Sequence, residues 1–542
     1  MKLASKLLLC GLLALIAVVL IINVRYLYTA PIANTWIWWP GDETWLMSQY
    51  HEFVTTGHYI NPLAPGSIFA QSSGLMFGSC YLTAALYGLP LLLGTIVPII
   101  KGHTIDVGRT ISFVFSILTL FALWMIAKRY NVRAVLRAFG CLLLASTVCF
   151  FMTSHSARSD MLIGLTILII AGYIPLMVDK PQTNWAIVLG LLIPISLLVN
   201  GHVLIVSFLT IGYATWSRGI FRSKKSVLQC IGAATAGFAC LLIIQWALLG
   251  SLSLVGPFND TSSTMPFARL LHPRAHLTNY NWRLFIANSW SPGVMWVAEA
   301  LLAAIIWGAI RYKIRFSQME PAARRFIICA ALIVLSSIYI EYYWPRYLIY
   351  VLPTIVLSFL IVIAHLLRTL PRSSATALTI VLSVCLAFAI LKYQGEASRL
   401  GAAGEIITAA NESAVTDALS TIHSRQSVRS DRFHRPRIFS TVPGQGIVMD
   451  DSCDLLTPVM YDWKGDHTLT RDEVWQRAKI DYAIVCNQAQ GNDRGEADSS
   501  IDWLARSRAR LIFERAGPIS DIDRPYDLSN LKLLDTLRVY EF

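Results

Sequence analysis

The chain has 542 residues, is 55% hydrophobic and only 14% charged, and has a mean hydropathy of +0.54, a composition that excludes an ordinary soluble enzyme. Its net charge of +12 would suggest nucleic acid in a soluble chain, but within residues 1–392 most Lys and Arg fall in short connections between apolar runs and read as topology determinants. It has no C-x-x-C, no Cys/His cluster at zinc spacing, no P-loop and no G-x-G-x-x-G, which argues against ATP-driven chemistry and against a bound nicotinamide or flavin.

In chain order, the short basic stretch Met1–Lys6 precedes the wholly apolar Leu7–Ile22. No small-residue cleavage site follows, so the pattern predicts an uncleaved signal anchor with a cytoplasmic N-terminus. Residues 38–54, W-W-P-G-D-E-T-W-L-M-S-Q-Y-H-E-F-V, then place Leu46, Tyr50, Phe53 and Val54 at helical spacing. They predict a short amphipathic helix on the outer membrane surface, with Asp42 and Glu43 at its N-terminal end. Asp42 could simply cap this helix; a carboxylate there is also held ionised by the helix dipole, as a general base must be.

The apolar region 74–100 is long enough to span but is broken by Pro90 and Pro98. If it crossed, the basic loop at 128–137 (K-R-Y-N-V-R-A-V-L-R) and every later basic loop would lie outside. An interfacial or re-entrant hairpin within an outer loop 30–108 keeps them all inside. Spans are then predicted at 109–127, 134–153, 161–178, 185–199, 202–216, 227–250, 294–310, 326–341, 347–367 and 376–392, about eleven with the anchor. The short pair 185–199 and 202–216 stays separate, because merging it breaks the charge rule.

From about 393 the chain gains charges and loses spanning runs. R-I-F-S-T-V at 437–442 and D-Y-A-I-V-C at 481–486 read as buried strands. Thr470 with Glu473 forms a capping box, and L-L-D-T-L-R-V-Y-E-F makes a last strand. The expected fold is a polytopic α-helical membrane domain, residues 1–392, with a small extramembrane α/β domain at 393–542 on the outer side. Eight of the ten cysteines lie in or beside apolar runs. Cys453 and Cys486 do not, and an oxidising compartment would permit a bridge between them.

Ionisable groups tucked among spans are costly, so each needs a reason. On the predicted outer face four sets converge: Asp42 with Glu43; Arg158 and Asp160 with His155; His202; and Glu341 with Arg346. Each also has a plain structural reading: an ion pair at a helix end for Arg158 and Asp160, a satisfied polar turn for His202, an interfacial anchor for Arg346 beside Tyr347.

The order of these segments carries a family resemblance. An anchor span leads to an outer G-D-E-T-W loop and an interfacial hairpin. V-G-R-T-I-S-F then opens a span, A-R-S-D-M-L stands at the outer end of a later one, and W-P-R-Y-L-I-Y-V-L-P follows. Over roughly residues 1–370 this resembles the GT-C superfamily of membrane glycosyltransferases, closest to the protein O-mannosyltransferase and lipid A aminoarabinose transferase branch with the bacterial RgtA–D-like enzymes. The resemblance implies a polyprenyl-phosphate-linked sugar donor, transfer of a hexose or pentose with inversion on the outer membrane face, and a glycan, lipid or protein acceptor. It implies no nucleic acid partner. A lipid phosphate is already a good leaving group, so the needs are a carboxylate to accept the acceptor's proton and cations to hold the phosphate. By resemblance Asp42 is the base with Glu43 secondary, and Asp160 matches an acidic position near the acceptor or a metal. Arg346, Arg158 and Tyr347 would face the donor phosphate, since a planar guanidinium suits a bidentate contact.

Many relatives carry an acid or Lys followed by Pro-Pro before the hairpin, where this chain has Q-S-S-G at 71–74. With at most three acids to place, no metal ligand set is assigned, and a divalent metal stays an open alternative. His155, His202 and Glu341 are candidate substrate contacts, as are His272 and Arg274 in the polar loop 251–293. The rival readings are a transporter or flippase of lipid-linked saccharide, an O-antigen ligase or polymerase, and a sugar-binding receptor. A flippase predicts mid-membrane charges and inverted repeats, and neither is present in the sequence. The expected compartment is a bacterial inner membrane, with the active site and tail on the periplasmic side.

Overall fold

The computed structural model describes residues 2–27, 104–156, 160–178, 184–199, 201–219, 223–249, 310, 316–340, 345–371, 373–384, 386–387, 390–391, 416–426, 436–440, 454–456, 480–486, 509–516, 520–521, 532–533 and 536–542. Ten of its helices are α1 Lys2–Arg25, α2 Thr104–Arg129, α3 Ala134–Ala145, α4 Val148–Ser154, α5 Asp160–Met177, α6 Trp185–Val199, α7 Gly201–Arg218, α8 Lys224–Leu249, α9 Pro321–Ile340 and α10 Leu352–Thr369. Among the described residues, Lys6–Arg25, Gly108–Arg129, Asp160–Met177 and Leu352–Thr369 are long and apolar enough to cross a membrane.

The bundle is built around α5. Its spanning stretch is 72% buried, against 17% for that of α1. It packs against α2, α7, α9, α10 and the 3-10 turn Pro345–Tyr350. Helix α1 is peripheral: Leu12, Val19 and Asn23 form its buried stripe, continued by Tyr26 just past its end, while Leu7, Leu13, Val18 and Ile21 stay exposed as lipid-facing positions would be. Hydroxyls within the helices bond back to the preceding turn, Ser116 to the Phe113 carbonyl at 2.6 Å and Thr119 to that of Phe115 at 2.8 Å. No lone hydroxyl is then left facing hydrocarbon at these two positions.

The segment predicted as one span at 134–153 is broken. Helix α3 ends at Ala145, and Thr147, in extended backbone, accepts a hydrogen bond from the Phe150 amide at 3.2 Å and starts α4. A side-chain cap at this point offers the backbone an alternative to continuing one helix. The pair α6 and α7 is separate, as the charge pattern requires, and the Ser196 and Ser207 hydroxyls join them at 2.5 Å. Helices α6 and α8 meet through small residues: a Cβ added at Gly190 would collide with the Cys230 carbonyl, and one at Gly237 with Pro194.

The basic connections gather at one end of the bundle. Asn131, in a left-handed turn (φ 59°), donates to Glu320 at 3.2 Å, and Arg368 donates to the Asn131 carbonyl. Arg325 donates to the Pro175 carbonyl at 3.2 Å, and the Tyr130 hydroxyl donates to that of Gly172 at 2.9 Å, close to the proline inside α5. Lys128, Arg129 and Arg133 belong to the same end.

In the tail, a five-stranded mixed sheet has the order β2-β1-β3-β5-β4, from β1 Arg437–Ser440, β2 Asp454–Leu456, β3 Tyr482–Cys486, β4 Arg510–Ala516 and β5 Thr536–Glu541. β1 runs parallel to β2 and β3, and β5 lies antiparallel between β3 and β4. A helix over 416–426 buries Ala418, Leu419 and Ile422 against Ile438, Tyr482, Ile484, Leu537 and Val539. Salt bridges Arg515–Asp417 and Arg425–Glu541 join this helix to the sheet.

Candidate active site

At the end of the bundle opposite the basic connections lies a cluster of buried polar side chains: Asn23, Arg109, Ser154, His155 and Asp160, each at most 2% exposed. They come from four segments, the last turn of α1, the first turns of α2, the end of α4 with the residue after it, and the start of α5. Asp160 is the first residue of α5, where the helix dipole favours a negative charge. The Tyr350 hydroxyl donates to its Oδ1 at 2.6 Å. So short a bond is typical of a charged acceptor, and it offsets part of the cost of burying a carboxylate. The residues are 190 apart in sequence, so this bond brings the A-R-S-D and W-P-R-Y segments together.

The turn that supplies Tyr350 is seated on α5 by close backbone approach. A Cβ at Gly164 would come within 2.7 Å of the Ile349 carbonyl oxygen, so only glycine lets the two segments lie this near. The same 3-10 turn contains Arg346 and Tyr347 in its backbone.

His155 ties two helix ends. Its Nε2 lies 2.7 Å from the Asn23 carbonyl oxygen, and its Nδ1 is 2.5 Å from the Phe151 carbonyl oxygen and 3.0 Å from Ser154 Oγ. The Asn23 side chain completes the tie, donating from Nδ2 to the Val19 carbonyl at 2.8 Å and facing Ser154 Oγ at 3.3 Å. The ring sits in the turn beyond α4, and burial pushes its pKa down to about 4, with the Arg109 charge adding to the effect. The two facing carbonyls act in the opposite direction and lose to burial. His155 is therefore neutral at physiological pH, a hydrogen-bonded tie between α1 and the turn that precedes Asp160.

Asn23 and Ser154 belong to no motif, and Arg109 and Tyr350, inside V-G-R-T-I-S-F and W-P-R-Y-L-I-Y-V-L-P, are given no role by the sequence. Their signal is weaker: a lone amide or guanidinium in an otherwise apolar helix needs a partner. Asp42, Glu43, Arg158, His272, Arg274, Glu341, Cys453 and the hairpin 74–100 lie outside the described residues, as do the side chains of His202, Arg346 and Tyr347. Among the described residues, no three His, Cys, Asp or Glu side chains are grouped as a metal site would require.

Residues 88–244 match the dolichyl-phosphate-mannose-protein mannosyltransferase family. Two crystal structures of ArnT from Cupriavidus metallidurans share the fold. The one bound to undecaprenyl phosphate is 13% identical with a TM-score of 0.51, and the apo form is 12% identical with a TM-score of 0.52; each match covers 97% of both chains. An Archaeoglobus fulgidus oligosaccharyltransferase is more distant, 11% identical with a TM-score of 0.42, over 88% of this chain and 69% of that one. No curated protein matches in sequence.

Proposed function

We propose that this chain, a multi-pass membrane protein of GT-C fold, is a glycosyltransferase that takes a sugar from a polyprenyl-phosphate donor and passes it, with inversion, to an acceptor on the outer face of a bacterial inner membrane. The observation that carries this reading is the buried Asp160–Tyr350 pair on α5, built by the same 3-10 turn that contains Arg346 and Tyr347. An acidic group and an arginine-bearing turn, far apart in sequence, share one end of the bundle. The likeness to an ArnT structure that holds undecaprenyl phosphate supports a donor of that chemistry. The concentration of basic residues at the opposite end supports placing that end in the cytoplasm.

In this reading Asp42 takes the proton from the acceptor hydroxyl as that oxygen attacks the anomeric carbon, and Glu43 assists. The bond to the phosphate oxygen breaks, and the lipid phosphate leaves in the grip of Arg346 and Arg158, with Tyr347 beside them. Asp160 holds the acceptor side of the site. His202, Glu341, His272 and Arg274 are assigned to sugar and acceptor contacts, His155 to the wall of the site, and the tail domain 393–542 to acceptor choice.

Asp42→Asn tests the assignment, because Asn caps a helix as well as Asp but cannot accept the proton. With undecaprenyl-phosphate-linked hexoses and pentoses as donors, turnover is expected to fall about 10²- to 10⁴-fold with donor binding unchanged. Near-normal turnover by this variant would remove Asp42 from the chemistry.

A further inference from the structure

We propose that Tyr350 is the positioning residue for Asp160, holding its carboxylate ionised and in one orientation at the N-terminus of α5 for the transfer reaction. The inference rests on the role given to Asp160 in the proposed function. Tyr350 is 5% exposed and sits in the apolar run L-I-Y-V-L, where Phe would fill the same space without burying a hydroxyl. A buried hydroxyl costs stability unless it has a partner, and this one bonds Asp160 Oδ1 at 2.6 Å.

The bond is rigidly framed on both sides. Ile349 is fully buried and its carbonyl lies against Gly164 of α5, so Tyr350 reaches Asp160 from a turn that cannot slide along the helix. On the other side, Asp160 is fixed by the helix it opens. Among the described side chains, the titratable and charged neighbours are Tyr350 from the turn, Cys149 of α4, which lies close enough to feel the Asp160 charge, and His155 with Arg109 in the adjoining cluster. Since the turn carrying Arg346 also carries Tyr350, the candidate phosphate-binding and acidic residues are held in register by one piece of backbone.

Tyr350→Phe in the full-length protein removes the hydroxyl and keeps the ring. The first readout needs no substrate: infrared titration of the protonated-carboxyl band that Asp160→Asn deletes. Its midpoint should rise by about one pH unit or more in Tyr350→Phe, because the bond favours the charged form. The second is kinetic, with the undecaprenyl-phosphate-linked sugar that the wild type turns over. kcat should fall about 10- to 100-fold with the donor KM nearly unchanged, the size expected for one hydrogen bond to a charged group. An unmoved infrared midpoint overturns the positioning role and leaves the proposed function standing. Full turnover by Asp160→Asn removes Asp160 from the transfer and overturns the positioning role with it, whereas no turnover of any such donor by the wild type overturns the proposed function.

Discussion

His155 Nε2 and the carbonyl oxygen of Asn23 lie 2.7 Å apart across 132 residues, joining the end of α1 to the turn that delivers Asp160. The Asn23 carbonyl belongs to the last turn of its helix, where the Leu27 amide bonds to Val24 instead. The imidazole supplies this helix-end carbonyl with a side-chain donor.

This tie makes stability depend on pH. The folded-state pKa of His155 is depressed to about 4 from an ordinary value near 6.5, so the folded chain binds fewer protons than the unfolded one. The contribution of His155 is complete above pH 6.5 and is lost as pH falls toward 4. The full loss is about 3 kcal/mol. Melting of the detergent-solubilised protein should show a steep decline across that window. His155→Gln, which can still donate to Asn23 but does not titrate, should flatten it. A decline that survives in His155→Gln would place its origin elsewhere.

Gly164→Ala should act at a distance. The added methyl would meet the Ile349 carbonyl at 2.7 Å, a backbone atom that yields only if the whole turn shifts. We expect loss of activity and a destabilisation of about 1–3 kcal/mol from overpacking. Gly11→Ala has nothing within 4 Å and is the control, with both properties unchanged. Equal behaviour of the two variants would show that the turn adapts freely.

The spanning helices were legible because length and apolarity alone specify them: Gly108–Arg129, Asp160–Met177 and Leu352–Thr369 all follow from runs of about twenty apolar residues. Strands at Arg437–Ser440 and Tyr482–Cys486 were legible from short β-rich runs, whereas Arg510–Ala516, with charges at both ends, gave no such signal. The break at Ser146–Thr147 was hidden, since two hydroxyl residues in an apolar run do not announce a cap. Asp160 stood out as an acid at a span end. Tyr350 did not: a tyrosine in L-I-Y-V reads as a membrane anchor until the fold brings an aspartate to it from 190 residues away. Partnerships of that kind are tertiary, and no local pattern encodes them.

Topology gives an independent check. If residues 74–100 form a hairpin on the outer surface, a cysteine introduced at position 103 reacts with a membrane-impermeant thiol reagent from the same side as one at position 157. One in the basic 128–133 connection is protected until the membrane is opened. Protection at 103 together with reactivity at 128–133 would invert the proposed orientation and the charge argument behind it.

The proposed donor site makes a prediction of a different kind from that for Asp42. A guanidinium grips phosphate with two parallel N–H donors, while an ammonium offers a point charge. Arg346→Ala should therefore weaken binding of undecaprenyl phosphate, measured directly with the lipid in detergent, by about 10- to 100-fold, the loss of one charge-assisted pair. Arg346→Lys should recover part of that affinity and should leave binding more salt-sensitive than in the wild type. Asp42→Asn should bind the lipid normally and fail only in turnover, so the variants separate grip from chemistry. If Arg346→Ala binds undecaprenyl phosphate like the wild type, the phosphate is held elsewhere and Arg346 is an interfacial anchor beside its tyrosine neighbour.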